Sequence, residues 1–322
     1  MQITLVFIWP GAIINMELYP VFITSAIFAW ALSAPLIQKG MRSADSGFRV
    51  AFALLVSFGV GYFFLFFSTG RIGILPLENA LLSFAAGMLT FPLGTGLYYF
   101  SIGRISAKNM MPFLYLKLPF ALMLSYLVLG EAFAINIGVL LGMVVLVAGL
   151  VIASYSMGGK KLGRDEGQRI LTILVAVSIP LVWALGEIAI KLGSGGIAPV
   201  RAIFYSLTFG FFTVAGLMLL YSLFRKRRWR REDYMPRRAY LCFAGHGFLS
   251  IFVAYSLYFW AIGIGSVSLS ALLVAVWPLL AMFMSMAAER LQGIPFSGNL
   301  LMLVLGSLMC FFSEVLILVS AT

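Results

Sequence analysis

Hydrophobic residues along this chain fall into ten long blocks, separated by short stretches that contain charged residues, glycine or proline. A bilayer core is about 30 Å thick and takes roughly 20 apolar residues of helix to cross. Unbroken apolarity favours helices over barrel strands, which alternate with a period of two. The pattern therefore predicts an all-α integral membrane protein with ten transmembrane helices, at residues 19–38, 48–68, 77–100, 109–129, 133–156, 170–190, 199–224, 239–262, 266–287 and 297–320.

Composition agrees with this pattern. The chain is 62% hydrophobic and 10% charged, with a mean hydropathy of +1.05, whereas a soluble domain is roughly 45–50% apolar and about 25% charged. A water-soluble fold could not bury so much apolar surface, so lipid is the expected solvent. The net charge of +11 does not indicate a nucleic-acid partner, because most basic residues lie in short loops between the apolar blocks.

Basic residues alternate between the loops, and this predicts the topology. One side holds only Arg71, Lys191 and Arg201. The positive-inside rule therefore places the other loops in the cytoplasm and both termini outside a plasma (inner) membrane. The run from Arg225 to Arg238 is interpreted as a topology anchor, with binding of anionic lipid head groups as the alternative. The cytoplasmic set comprises Lys39, Arg42, Arg49, Arg104, Lys108, Lys160, Lys161, Arg164, Arg169, Arg225, Lys226, Arg227, Arg228, Arg230, Arg231, Arg237, Arg238 and Arg290.

An internal repeat divides the chain into two halves. Helix 1 reads FAWALSAPLIQKG from Phe28, and helix 6 reads LVWALGEIAIKLG from Leu181. Each half holds five helices, an odd number, so the second half must be inverted relative to the first. The matched pairs are Trp30 with Trp183, Ala31 with Ala184, Leu32 with Leu185, Ile37 with Ile190, Gly40 with Gly193, Arg49 with Arg201, and Pro119 with Pro278. Glu131, after helix 4, falls beside the counterpart of Glu289, after helix 9.

The repeat also sets the predicted domain boundaries. Residues 19–156 form the first five-helix repeat and residues 170–320 the second, with a basic cytoplasmic linker at 157–169. Residues 1–18 are apolar without a positive n-region, so we interpret them as an N-terminal extension and not a secretory signal, with Met16 as an alternative start. Cys242 and Cys310 lie in apolar blocks without metal-ligand or disulfide spacing, so both are expected to pack as small core residues.

Taken together, these features resemble the drug/metabolite transporter superfamily, in its ten-helix EamA-like branch. The resemblance rests on two five-helix halves, a Trp in the first helix of each, an Arg that opens the second and an acidic residue after the fourth, over about residues 19–320. It implies a central cavity surrounded by helices 1–4 and 6–9, with helices 5 and 10 at the periphery. One departure is topological: many members have cytoplasmic termini, whereas the charge pattern here predicts external ones.

The acidic residues and the one histidine argue against an enzyme. Asp45, Asp165 and Asp233 all lie in loops, and His246 is the only histidine. The sequence therefore has no paired intramembrane aspartates, no zinc motif of the HExxH type and no Walker-type glycine loop. We expect no catalytic residue, no metal and no cofactor.

Two charges at membrane depth are the main candidates for a substrate site, since such charges are costly and mark functional sites by default. Lys117 in helix 4 precedes Pro119 and would hold a carboxylate or phosphate or pair with a glutamate, with snorkelling to the interface as the alternative. Glu187 in helix 6 lies one turn from both Trp183 and Lys191. It would bind an ammonium group together with the indole or exchange a proton, with an i,i+4 pair to Lys191 as the alternative.

Further residues complete the predicted site. Helix 1 has Ala34 where helix 6 has Glu187, so the site is expected to be asymmetric. His246 is predicted either to relay a proton that couples transport or to form a packing hydrogen bond. Glu314, on a peripheral helix, is expected to have a structural role. Glu131 and Glu289 are expected to close helix ends at opposite membrane faces. Trp30, Trp183, Tyr99 and Trp277 are predicted to bind substrate, Pro119 and Pro278 to act as hinges, and Tyr98, Tyr115, Tyr255, Tyr258 and Trp260 to be further lining candidates.

These residues predict a secondary-active or facilitative transporter of small organic metabolites, with amino acids or amines as the favoured class. Its partners would be the small-molecule substrate and membrane lipid, with no nucleic acid, in a monomer or homodimer. A lipid-head-group flippase or scramblase and a non-transporting membrane scaffold are the alternatives.

Overall fold

The structure, a computed structural model, describes residues 12–44, 47–69, 73–131, 136–156, 166–224, 234–295 and 299–321. All regular elements within these residues are helical, and ten of them are long and apolar enough to cross a membrane. The all-α prediction and the ten predicted crossings are confirmed. Asp45, Arg71, residues 157–165 of the predicted linker, residues 225–233 of the basic run and residues 1–11 lie outside the described residues.

The ten helices follow the predicted blocks closely. Helix 1 begins at Ala12, so part of the predicted extension is helical, and helix 6 begins at Glu166, inside the predicted linker. Both helices begin a few residues earlier than predicted, because the apolar block marks the part of a helix that crosses the bilayer and not the end of the helix itself. The helices are Ala12–Met41, Gly47–Thr69, Leu77–Ile105 (in three segments), Ala107–Leu129 (in three segments), Ile137–Ser156, Glu166–Gly193, Pro199–Phe224, Arg237–Ile264 (in three segments), Val267–Leu291 (in two segments) and Leu300–Ala321.

Glycines allow the same close helix crossing in each half. A Cβ atom added to Gly87 in helix 3 would lie 2.2 Å from the carbonyl oxygen of Ser206 in helix 7. A Cβ atom on Gly247 in helix 8 would lie 2.3 Å from the carbonyl oxygen of Ser57 in helix 2. The crossing of helix 3 with helix 7 therefore has a counterpart in the crossing of helix 8 with helix 2. Two inverted five-helix repeats are expected to show this correspondence, since helices 3 and 8, and helices 2 and 7, hold the same positions in the two halves.

Four helices are irregular, again in matched pairs. Helix 3 has a π-helical segment at Leu89–Thr95, and helix 8 has one at Gly247–Ala254. Helices 4 and 9 are interrupted between Leu114 and Lys117 and between Leu273 and Val276. Such irregular backbone within a membrane protein is tolerated where it lies inside the protein or borders a cavity.

Prolines explain the two interruptions. Pro119 has no N–H to donate to the carbonyl of Tyr115, which instead accepts from the Leu118 N–H at 3.4 Å. In helix 9 the carbonyl of Val274 accepts from the Trp277 N–H at 3.0 Å, where Pro278 would be the normal helical donor. The two predicted hinge prolines therefore each follow a break in a central helix.

Helices 5 and 10 pack tightly against each other through small residues. A Cβ on Gly149 in helix 5 would lie 2.8 Å from the carbonyl oxygen of Gly306 in helix 10. A Cβ on Gly142 would lie 3.1 Å from the carbonyl oxygen of Ser313. Small residues at these positions let two membrane helices approach closely without hydrophobic driving force from water.

Candidate functional site

The charged side chains of Lys117 and Glu187 meet inside the protein. Lys117 Nζ lies 2.5 Å from Glu187 Oε1, and the two residues are only 7% and 2% exposed. Lys117 therefore does not snorkel to an interface. Lys191, the alternative partner of Glu187, instead donates to the carbonyls of Gly265 at 2.5 Å and Ile262 at 3.0 Å, where helix 8 ends.

The break in helix 4 places Lys117 at the first position of the segment Lys117–Leu124. Its ammonium donates to the Tyr258 hydroxyl at 3.1 Å and lies 4.4 Å from the centre of the Tyr258 ring. It is also 5.9 Å from the centre of a ring of Trp30. A desolvated ammonium gains cation–π stabilisation in such surroundings. Lys117 is therefore held by one carboxylate and by aromatic rings from helices 1 and 8.

Aromatic side chains form two matched walls around this pair. On one side the Trp30 ring lies 5.1 Å from the rings of Tyr255 and Tyr258 and 5.8 Å from that of Trp277. On the other side Trp183 lies 5.4 Å from Tyr98. The pairing of helix 1 with helix 8 therefore repeats as the pairing of helix 6 with helix 3, as the internal repeat requires.

Gly94 and the π-helical segment of helix 3 fix the position of Trp183. A Cβ on Gly94 would lie 2.5 Å from the indole of Trp183, so a larger residue would displace the ring. The indole N–H donates to the Thr90 carbonyl at 3.3 Å. That carbonyl also accepts from the Thr95 hydroxyl at 2.9 Å, because the wide turn leaves it available for side chains.

The two walls and the charge pair enclose a small cavity. Its free volume for the centre of a water molecule is about 20 Å³, which is enough for a single ordered water but not for an organic solute. The cavity is therefore occluded in this conformation. It is lined by Trp30, Ser33, Thr90, Thr95, Tyr98, Lys117, Trp183, Glu187, His246, Ser250, Tyr255, Phe259 and Trp277.

The predicted site residues are mostly brought together here. Lys117, Glu187, Trp30, Trp183 and Trp277 all line the cavity, as does the coupling candidate His246. Tyr99 is the exception among the predicted substrate-binding residues, because it does not line the cavity. Its hydroxyl donates to Ser57 Oγ at 2.8 Å, and its ring packs 5.5 Å from His246 behind the cavity wall.

The neighbouring Tyr98 lines the cavity in place of Tyr99. The extra residue per turn in a π-helical segment rotates the following residues by roughly 100° relative to a regular α-helix, and Tyr98 and Tyr99 follow such a segment. Regular helical periodicity therefore cannot say which of the two faces the cavity. The hydroxyls of Ser33, Thr90, Thr95 and Ser250 were also missed, since small polar residues at membrane depth often pack without a ligand.

A charged cluster closes the end of the molecule where helix 9 stops. Glu289 accepts from Lys108 and from Gln38, and its carboxylate lies 3.6 Å from the Arg42 guanidinium. We call Gln38, Arg42, Lys108 and Glu289 the Glu289 cluster. It joins helices 1, 4 and 9.

A matched cluster closes the opposite end, where helix 4 stops. Glu131 accepts from the backbone N–H groups of Val267 at 3.0 Å and Ser268 at 3.1 Å, and from the Ser268 hydroxyl at 2.6 Å. A carboxylate at a helix N-terminus is favoured because it meets the unpaired N–H groups and the positive end of the helix dipole. The Ser125 and Ser268 hydroxyls also form a hydrogen bond of 2.7 Å. We call Ser125, Glu131, Val267 and Ser268 the Glu131 cluster.

No metal centre is evident in the described part of the chain, where His, Cys, Asp and Glu side chains do not gather in groups of three. The absence of metals and cofactors stays a prediction. Cys242 and Cys310 are both buried and unbridged.

Comparison with known proteins places the chain in a family. One crystal structure of a protein aligns with 95% of this chain and 98% of its own chain, at a TM-score of 0.61 and 15% sequence identity. At that identity the likeness shows the fold alone. The curated proteins searched give no match. The model of the EamA-like transporter family matches residues 18–155 and 170–312, one match for each five-helix half. This ten-helix, twofold-repeated chain with an occluded charge pair therefore belongs to the EamA-like transporter family.

Proposed function

We propose that this membrane transporter carries a small organic metabolite with an amino group, by alternating access. The observation that carries the proposal is the buried Lys117–Glu187 pair inside an aromatic-walled cavity between two inverted halves. Inverted-repeat transporters commonly hold their substrate at such a place, near the bilayer midplane.

The charge pair suits a zwitterion or an amine. A substrate ammonium would take the place of Lys117 at Glu187, with Trp183 and Tyr98 as cation–π partners. A substrate carboxylate would take the place of Glu187 at Lys117. In the empty carrier the two side chains neutralise each other, which limits the cost of buried charge while the empty site changes sides.

The two end clusters suit the role of gates. Both are closed here, and the cavity between them is too small for a metabolite. Separation of the Glu289 cluster would open the site towards the face that the charge pattern assigns to the cytoplasm. Separation of the Glu131 cluster would open it towards the opposite face, and the breaks in helices 4 and 9 lie between the two gates.

A thermal-shift screen tests the proposal first. The purified protein would be screened with amino acids, amines, sugars, sugar phosphates and nucleosides. We expect an amine or amino acid to raise the melting temperature, and Lys117→Ala or Glu187→Gln to abolish that shift. Glu78→Gln, an exposed carboxyl at the start of helix 3, is the matched control and should retain it. The hit would then be tested by counterflow into liposomes, and saturable uptake is the expected result.

A lipid-head-group flippase is the second candidate, and one observation favours it. An apolar groove of about 430 Å³ opens between helices 2 and 7 and reaches Pro92 in the π-helical segment of helix 3. Such a lateral opening would admit an acyl chain. A flippase predicts that the protein accelerates the movement of labelled phospholipid between leaflets while no soluble solute changes its melting temperature. That pair of results would overturn the metabolite carrier.

A further inference from the structure

A second cavity lies beside the Glu289 cluster, at the end of the molecule where helix 9 stops. Its free volume for the centre of a water molecule is about 440 Å³, whereas the central cavity has only about 20 Å³. A small organic ion therefore fits in the second cavity while the central cavity is occluded. The polar residues that line it are Gln38, Arg42, Arg104, Ser106 and Glu289.

The Arg42 guanidinium at the rim of this cavity is only loosely held by Glu289. The two side chains are 3.6 Å apart, beyond hydrogen-bonding distance, and Arg42 donates instead to the Gln292 amide oxygen at 2.8 Å. Glu289 accepts a direct hydrogen bond from Lys108. Because Lys108 holds the carboxylate more closely, Arg42 can turn to an anion in the cavity without leaving Glu289 unpaired.

Arg104, at the end of helix 3, places a second guanidinium in the same cavity. Its Cζ atom lies 4.0 Å from the centre of the Phe100 ring, and this cation–π contact holds the group over the ring face. Among the described residues Arg104 forms no ion pair. Two guanidinium groups suit an oxyanion, because each presents paired N–H donors that match the oxygens of a carboxylate or phosphate.

Two polar atoms in the cavity wall have no hydrogen-bond partner within the described part of the chain, Gln38 Oε1 and Ser106 Oγ. Gln38 is only 5% exposed, and a buried polar atom without a partner costs free energy that a ligand would recover. Ser106, between helices 3 and 4, also has a φ of 69°. Such strain in a residue with a side chain is found most often at binding sites.

We propose that this cavity is a second binding site, which takes a carboxylate or phosphate group that has a hydroxyl or amino group beside it. The oxyanion accepts from Arg42, Arg104 and the Ser106 hydroxyl, and the ligand's own donor reaches Gln38 Oε1. Two sources would supply this chemistry at the end of a transmembrane bundle, a soluble metabolite and the head group of an anionic lipid. The site is separate from the Lys117–Glu187 pair and does not depend on the proposed substrate.

Inorganic phosphate tests the site in the purified protein, held in nanodiscs of neutral phosphatidylcholine. At an ionic strength kept constant with sodium chloride, we expect phosphate to raise the melting temperature in a saturable way. Arg104→Gln should weaken the apparent affinity at least about tenfold, since charge-assisted hydrogen bonds are lost. Arg290→Gln, which removes an exposed arginine at the same end, and Lys117→Gln, which removes the cation of the central site, should both retain the phosphate shift.

Two results would contradict the proposal. Equal effects of Arg104→Gln and Arg290→Gln would show that phosphate responds only to the general surface charge. Loss of the shift in Lys117→Gln would show that phosphate binds in the central cavity.

Nanodiscs that contain phosphatidylglycerol distinguish the two sources. A rise in melting temperature that needs this lipid and Arg104, without an effect of phosphate, would identify a lipid head group as the ligand. A rise with phosphate in the neutral nanodiscs would identify a soluble oxyanion. If neither probe stabilises the protein in a way that depends on Arg104, the proposal is wrong.

Ser106→Gly keeps this test independent of folding. The substitution relieves the strained φ and removes the unpartnered hydroxyl, so the variant should melt at or above the wild type without a ligand. It should nevertheless bind the stabilising probe severalfold more weakly. Wild-type affinity in this variant would count against the proposed site.

Discussion

At the scale of single residues, the site depends on an ion pair that burial makes costly to break. Water cannot replace either partner, since Lys117 and Glu187 are 7% and 2% exposed. Removing one member of a buried pair leaves an uncompensated charge and typically costs about 3–5 kcal/mol, whereas replacing both with neutral side chains is often far less damaging. Net stability therefore does not by itself explain the pair, which agrees with the substrate-binding role that we propose for it.

A double-mutant cycle measures this coupling. We expect Lys117→Gln and Glu187→Gln each to lower the melting temperature strongly, and the double variant to melt above at least one of the singles. The coupling free energy should be of the order of 1–3 kcal/mol for two side chains in contact. Additive effects in the cycle would show that the pair is not formed in the membrane protein.

Two adjacent tyrosines are expected to have different roles, Tyr98 in solute binding and Tyr99 in packing. Tyr98 packs on Trp183 at the cavity wall, and Tyr99 lies behind it, bonded to Ser57. We expect Tyr98→Leu to weaken binding of the screened solute by up to about tenfold, since an aromatic contact is worth about 0.5–1.5 kcal/mol. Tyr99→Leu should lower the melting temperature but leave affinity within about twofold. The reverse pattern, measured by solute titration, would contradict this assignment.

At the scale of elements, helices 3 and 8 each contain a π-helical segment and helices 4 and 9 each contain a break, whereas the described parts of helices 5 and 10 are regular. Helix 4 has a further π-helical segment at Ser125–Leu129. The breaks in helices 4 and 9 follow from prolines at matched positions, which remove one backbone donor in each half. Helices 5 and 10 are instead regular and packed through glycine. We therefore expect the two broken central helices to change shape during transport while helices 5 and 10 keep their contact.

Straightening helix 4 tests whether its break serves transport. Pro119→Ala restores a backbone donor that the helix lacks, and a proline inside a helix costs about 3 kcal/mol. The melting temperature should stay equal or rise, solute affinity should change little, and liposome uptake should fall severalfold. Pro76→Ala, at the start of helix 3, is the control. Undiminished uptake by Pro119→Ala would mean that the break is not a hinge.

At the scale of the whole molecule, two matched clusters close the two ends of an occluded cavity. The Glu289 cluster joins the end of helix 9 to the start of helix 4, and the Glu131 cluster joins the end of helix 4 to the start of helix 9. The expectation that Glu131 and Glu289 close helix ends on opposite faces agrees with these contacts. The orientation of the chain decides which cluster faces the cytoplasm. The charges of the loops predict that it is the Glu289 cluster.

Site-directed labelling tests that orientation. Glu78 and Arg290 are exposed and lie at opposite ends of the molecule, and the two native cysteines are buried, so they give little background. We expect Glu78→Cys to react with an impermeant maleimide in intact cells, and Arg290→Cys to react only after permeabilisation. The opposite result would place both termini in the cytoplasm.

The sequence by itself determined the ten crossings, the inverted repeat and the family, because apolar length and internal similarity are local, one-dimensional signals. It also pointed to Lys117 and Glu187, since charge at membrane depth is rare and costly. Only the tertiary structure decided that these two side chains, 70 residues apart, pair with each other and not with Lys191 or an interface. It alone chose Tyr98 over Tyr99, because a π-helical segment shifts the register in a way that periodicity does not reveal. Pairing across helices depends on three-dimensional packing, which no spacing within one helix encodes.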